Sequence, residues 1–238
     1  SLDEAFRESR SGYTVYATLE TTAIAWMMCD NFLNGVAMEQ VEKQYQLKGH
    51  AKFVEIARLF GWEKLQDHYY GFNVDYENNV TIPTDVDSLL LRLSGDVGVD
   101  IRPLFHFWGV PPINSTSLSN SIKAANLPAS AGIYDTLVRY KSLVPTNNAS
   151  FRFFATNWWG HQPSPTGYTE EANHAARWDT YDEAFAVATA NRAQQIITLY
   201  FPTGRPSDYI EWVGQGPGAN LANSNAALDR DGMGNDSE

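Results

Sequence analysis

The sequence predicts a mainly α-helical, bundle-like fold with little β structure and a loop-rich C-terminal part, and three observations carry that prediction. Apolar residues recur at helical spacing along residues 52–70 and 181–200. Capping-box patterns, Ser1-Leu-Asp-Glu4 and Thr180-Tyr-Asp-Glu183, stand where helices would begin. The one β-leaning stretch, 150–159, alternates too poorly to make a convincing strand.

Taken in order, the chain starts at Ser1 without a methionine and enters a helix at once, which reads as a piece of a longer protein. Residues 18–33 form the central element. From Ala23 to Cys29 this run is apolar on every side, so as a helix it lies inside the fold, and Asn34-Gly35 stops it. A short polar helix is expected over 38–47. Phe53, Val54, Ile56, Ala57, Leu59 and Phe60 then mark the apolar side of a helix that breaks at Gly61 and resumes over 62–70. Residues 71–80 read as an Asn/Asp-rich loop, closed by Pro83 and a cap at Thr84. A buried helix over 88–93 ends at Gly95, and Asp100 is the expected N-cap of a helix running to Gly109. Pro111-Pro112 and the Ser/Asn-rich stretch 113–121 predict a boundary, dividing the chain into 1–112 and 113–238. The second part carries helices near 122–125, 133–143 and 181–200, with loops around Pro163 and Pro165 and beyond Gly204.

Composition narrows the function classes. A net charge of -11 with no cluster of Lys and Arg argues against nucleic acid. The apolar runs are too short for a membrane helix. The single cysteine, Cys29, rules out an intrachain disulfide. The sequence contains no HExxH, Walker loop, GxGxxG or paired cysteines, so it holds no self-contained catalytic motif. His106 lies among Phe105, Phe107 and Trp108 and reads as a core residue with its hydrogen bonds met.

Glu20 is the residue that raises a chemical question. It sits one turn before the apolar run, where a carboxylate is costly unless an Arg, a hydrogen-bond network or a metal ion pairs with it. Three stretches across roughly residues 13–112 bear on the answer. They are Glu20 with the run to Asn34-Gly35, then Phe60-Gly61-Trp62, then Ser88-Leu-Leu-Leu-Arg-Leu-Ser94 with Ile101-Arg-Pro-Leu-Phe-His-Phe-Trp108-Gly109-Val-Pro111. Their order and spacing resemble the enhancin-like, mucin-degrading zinc metallopeptidases, in the half of the catalytic domain that follows HExxH.

The resemblance implies that Glu20 matches the family's downstream zinc ligand, while the two histidines and the general base are absent from this chain. It further implies a secreted or cell-surface bacterial protein acting on glycoprotein or peptide substrates together with an upstream part of the same protein. The fragment alone is then inactive. The competing reading of Glu20 is a glutamate at a helix N-terminus, favoured there by the macrodipole.

Two further groups of residues are candidates. Trp158, Trp159 and Trp178 could stack on sugar rings or simply fill a core. Asp229, Asp231 and Asp236 in the glycine-containing tail resemble the start of a calcium loop, or form an acidic tail. The alternative function class is a non-catalytic helical binding module, possible ligands of which include glycans.

Overall fold

Apolar spacing and side-chain caps set the helices of the computed structural model, which describes residues 19–28, 30–37, 50–151 and 181–207. In chain order these helices are α1 (Leu19–Met27), α2 (Asp30–Asn34), α3 (Ala51–Phe60), α4 (Trp62–Glu77), α5 (Val86–Val97), α6 (Arg102–Phe107), α7 (Ser115–Ala124), α8 (Ala131–Ser142) and α9 (Glu183–Tyr200). The fold is mainly α. Among the described residues, the β pairing recorded is an isolated parallel bridge between Asp100 and Ala129. The helix expected at Ser1, the helix over 38–47, Cys29, most of the β-leaning stretch, Thr180 and the C-terminal tail lie outside the described residues.

Helix α1 is the buried centre. Leu19, Ala23, Ile24, Trp26 and Met27 are all buried, as the all-round apolar run predicts. Trp26 fastens this helix to α6: its indole N–H donates to the Phe107 carbonyl at 2.5 Å. Around that bond the rings of Trp26, Phe32, Phe107, Trp108 and Tyr140 form a continuous set with centroids 5.2 to 6.0 Å apart. Most of the pairs are edge-to-face, the geometry in which a ring's positive rim meets its neighbour's negative face.

Several elements differ from the sequence expectation, each for a local reason. On α3 the fully buried residues include Lys52 and Glu55 beside Ala51, Ile56 and Ala57, while Phe53, Val54, Leu59 and Phe60 are only partly buried. Glu55 is hydrogen-bonded, as described below, and the Lys52 ammonium lies 5.0 Å over the Phe53 ring and 5.8 Å over the Phe105 ring. Helix α4 runs on through the expected loop to Glu77. A Cβ at Gly71 would stand 2.9 Å from Arg92 Nη2. With that space open, the Arg92 guanidinium lies 4.1 Å over the Phe72 ring and donates to Asp75 Oδ2 at 2.5 Å.

Helix α5 is capped by Asp85 rather than Thr84: the Asp85 carboxylate accepts from Ser88 N–H at 2.9 Å and is thereby held below the usual carboxylate range. Helix α5 passes Gly95 and ends at Gly98, whose left-handed φ of 92° makes the C-cap. Ile101 is the N-cap of α6, and Asp100 serves from one residue earlier, accepting from Arg102 N–H at 3.1 Å.

Where the Ser/Asn composition predicts a linker, the chain forms α7. Asn114 caps it by accepting from Ser117 N–H at 3.0 Å, and Leu118 and Ile122 turn inward. The Asp87 carboxylate accepts from both Ile113 and Asn114 N–H, at 2.8 and 2.7 Å, which fixes the entry to that helix. Helix α9 begins two residues later than the expected capping box, with Asp182 accepting from Phe185 N–H at 3.0 Å.

Residues on both sides of position 112 share one core. Helix α8 packs on α1, α6 and α9, and α9 packs on α2 and α6. Ile133, Leu137, Tyr140, Ala193, Ile196 and Ile197 are buried in the same cluster as Trp26, Phe107 and Trp108.

Candidate functional site

The first turn of α1, one turn of α3 and the second half of α8 bring several polar side chains together. Glu20 forms an ion pair with Arg139, and its side chain is 41% exposed. Arg139 is the more exposed partner. One residue further along α8, the buried Tyr140 donates its hydroxyl proton to Glu55 Oε1 at 2.5 Å. Arg58 Nη2 donates to the other carboxylate oxygen, Glu55 Oε2, and to Thr136 Oγ1, both at 3.0 Å.

The electrostatics follow from burial. Burial pushes the Tyr140 hydroxyl well above its ordinary value, the Glu55 carboxylate pushes it further, and Glu20 adds a smaller push in the same direction. Tyr140 therefore stays protonated and works as a donor, not as a base. Glu55 is fully enclosed and neutralised by its donors, so its role is to hold α3 to α8. Glu20 differs from it in being oriented by a guanidinium while still facing solvent, which leaves it open to a further cation.

A second polar group lies at the other end of α1. His106 Nδ1 is 3.0 Å from the Tyr200 hydroxyl, and Arg192 Nη2 is 3.4 Å from His106 Nε2. His106 and Arg192 line a small crevice with Trp26, Asn31, Phe32 and Gly35. Burial, and then the Arg192 charge, push the imidazole down to about 4, so His106 is neutral at physiological pH. His106 is thus hydrogen-bonded on both nitrogens, as expected, and it faces the crevice.

Trp158, Trp159, Trp178, Asp229, Asp231 and Asp236 lie outside the described residues. Among the described residues no group of three or more His, Cys, Asp and Glu side chains is arranged to hold a metal ion. Glu55 had a legible signal, a carboxylate between Val54 and Ile56 inside an apolar run. Arg139 and Arg192 had none, because each meets its partner across the fold. Compared with protein-family models, curated proteins and solved structures, the chain matches none.

Proposed function

We propose that this chain is the helical portion, following HExxH, of an enhancin-like zinc metallopeptidase that acts on glycoproteins such as mucins at the cell surface or in secretion. Glu20 is its contribution to the zinc site. The single observation that carries the reading is that the stretches bearing the resemblance pack as one unit, with Trp26 bonded to Phe107 and Phe32 against Phe107. From that unit Glu20 presents a half-exposed carboxylate, oriented by Arg139. A carboxylate on a rigid helix with a second partner to fix its direction suits a metal ligand.

Bound zinc would supply Lewis-acid polarisation of the scissile carbonyl and an acidified water. Within this chain, Glu20 would supply a carboxylate oxygen to the metal, and Arg139 pairs with that carboxylate. The histidines and general base are absent from the sequence, so the chain by itself should hydrolyse nothing. Zinc-dependent cleavage of mucin by residues 1–238 alone would contradict the assignment.

The deciding measurement is zinc content in a protein that includes the upstream segment. The wild type should retain zinc on dialysis, and Glu20→Gln should bind it about tenfold or more weakly. Equal retention by both proteins would return Glu20 to a purely structural role.

One observation favours the second reading, a non-catalytic binding module. Trp62, Tyr69 and Tyr76 are 52%, 54% and 78% exposed along one side of α4. At a rise of about 1.5 Å per residue, their seven-residue spacing sets successive rings roughly 10.5 Å apart. A glycan chain that bound the wild type and lost affinity on Tyr69→Ala, with zinc content unaffected, would support that reading.

A further inference from the structure

Helix α4 packs on α3 and α5 by one side and leaves the other to solvent. Two polar contacts fasten the inner side to α5, His68 to Asp96 and Asp75 to Arg92, each at 2.5 Å. The outer side is a regular surface. Trp62, Tyr69 and Tyr76 form one row along it, and Glu63, Tyr70 and Glu77 form a second row beside the first, both repeating every seventh residue. All six side chains are exposed, the four aromatic ones by half or more. Gln66 and Asn73, exposed as well, stand between successive rings.

The patch combines aromatic anchors with unbalanced negative charge. Among the described residues Glu63, Asp67 and Glu77 form no ion pair, and Lys64 is the one Lys or Arg on the helix. Glu77 lies at the C-terminal end, where the helix dipole is itself negative and the last turn carries no base. Contiguous exposed apolar groups rimmed by polar ones mark interaction sites, and Trp and Tyr are the usual anchors of protein interfaces.

We propose that this side of α4 docks a basic amphipathic helix of a partner protein, with apolar residues seated between the rings and Lys or Arg over the carboxylates. The seven-residue repeat favours a helix as the occupant. Seven residues fall about 20° short of two full turns, so the rows slant slowly around α4, and a helix crossing at about 20° keeps register with all three rings. At a rise of about 1.5 Å per residue the first row is roughly 21 Å long, the length of about four turns of the partner.

The charge favours a basic occupant. Glu63 and Glu77 flank both ends of the rows, and Tyr76, the most exposed ring, offers its face to a cation at the negative end of the helix. A second copy of this chain would bring the same carboxylates together, in a protein whose net charge is -11, and like charges across an interface oppose association. The proposal shares the exposed side of α4 with the binding-module reading but makes a helical peptide, not a glycan, its occupant. Glu20 and zinc play no part in it.

The experiment titrates the full chain with two labelled peptides of three heptads, read by fluorescence anisotropy. Both carry Leu at a and d; one has Lys at e and g, the other Glu. The Lys peptide should bind with a Kd on the order of 10 μM, and added salt should weaken it. Tyr69→Ala, and separately the double variant Glu63→Gln with Glu77→Gln, should each weaken it about tenfold or more, with folding checked by circular dichroism. Val187→Ala removes an apolar side chain of similar exposure on α9 and should leave the affinity unchanged.

An absence of saturable binding by the Lys peptide to the wild type would overturn the proposal. So would unchanged affinity in folded Tyr69→Ala, or an equal loss in Val187→Ala. Equal binding of the Glu peptide would overturn the basic assignment. Tyr69-dependent binding of an N-acetylglucosamine pentamer, with neither peptide bound, would give the face to a glycan instead. Self-association abolished by Tyr69→Ala would give it to a second copy. Zinc retention is measured independently of all these outcomes, so this proposal and the zinc reading fail separately.

Discussion

At the residue scale, His106 ties stability to pH. In the unfolded chain its imidazole protonates as pH falls through about 6.5, but in the folded protein only near 4. Between those values the unfolded state binds more protons, so the contribution is fully present above about 6.5 and is lost as pH falls toward 4. Allowing for partial exposure, the expected loss is on the order of 1–2 kcal/mol. Urea midpoints at pH 7 and 4.5 should differ less in His106→Gln than in the wild type.

Tyr140→Phe isolates a different term, since it keeps the ring stacked at 5.4 Å on Phe107 and removes only the donor to Glu55. It should cost about 1–3 kcal/mol by equilibrium denaturation, and much less in a Glu55→Gln background, because the charge that needs the hydroxyl is then gone. This scale was also where the sequence was least readable. Glu20 could be singled out because it stands one turn before an all-round apolar run, and Glu55 could have been because it lies between Val54 and Ile56. The partners that give each its setting, Arg139 and Tyr140, come from a helix more than eighty residues away from Glu55.

At the element scale, α4 offers a test of why a glycine sits inside a helix. An exposed mid-helix Gly→Ala change ordinarily stabilises by up to about 1 kcal/mol. Gly71→Ala should forfeit most of that, because the new Cβ would meet Arg92 Nη2 at 2.9 Å and disturb its bond to Asp75. In an Arg92→Ala background the usual gain should return, a contrast that thermal denaturation of the four proteins would resolve. The same glycine explains a misreading: Gly71 with the following Asn and Asp residues signals a loop, whereas Phe72 and Asp75 both meet Arg92 of the neighbouring helix. Helical spacing made α3, α4, α5 and α9 legible. The start of α7 was hidden because Asn114, Ser115, Ser117 and Ser119 are loop formers by composition and become a capped helix once Leu118 and Ile122 find a core.

At the scale of the whole molecule, the shared core sets what can be cut away. Helices α8 and α9 supply buried residues to the cluster around α1 and α6, so a fragment ending at residue 112 should expose that cluster. It should unfold without a cooperative thermal transition and bind a hydrophobic dye. A sharp transition in that fragment would show instead that the first part can stand alone.

The bond from Thr189 Oγ1 to the Met27 carbonyl, at 3.2 Å, joins positions separated by 162 residues, and the Trp26 to Phe107 bond spans 81. Contacts so distant in sequence are made late, because the chain between them must close before they return any stability. During synthesis the apolar run of α1 leaves the ribosome long before α9 exists, and at about 5–20 residues per second it waits on the order of ten seconds or more for its cover. In that interval Trp26, Met27 and Phe32 are a sticky surface. A stalled or truncated nascent chain that ends before residue 183 should therefore be held by chaperones, and release should coincide with the emergence of α9.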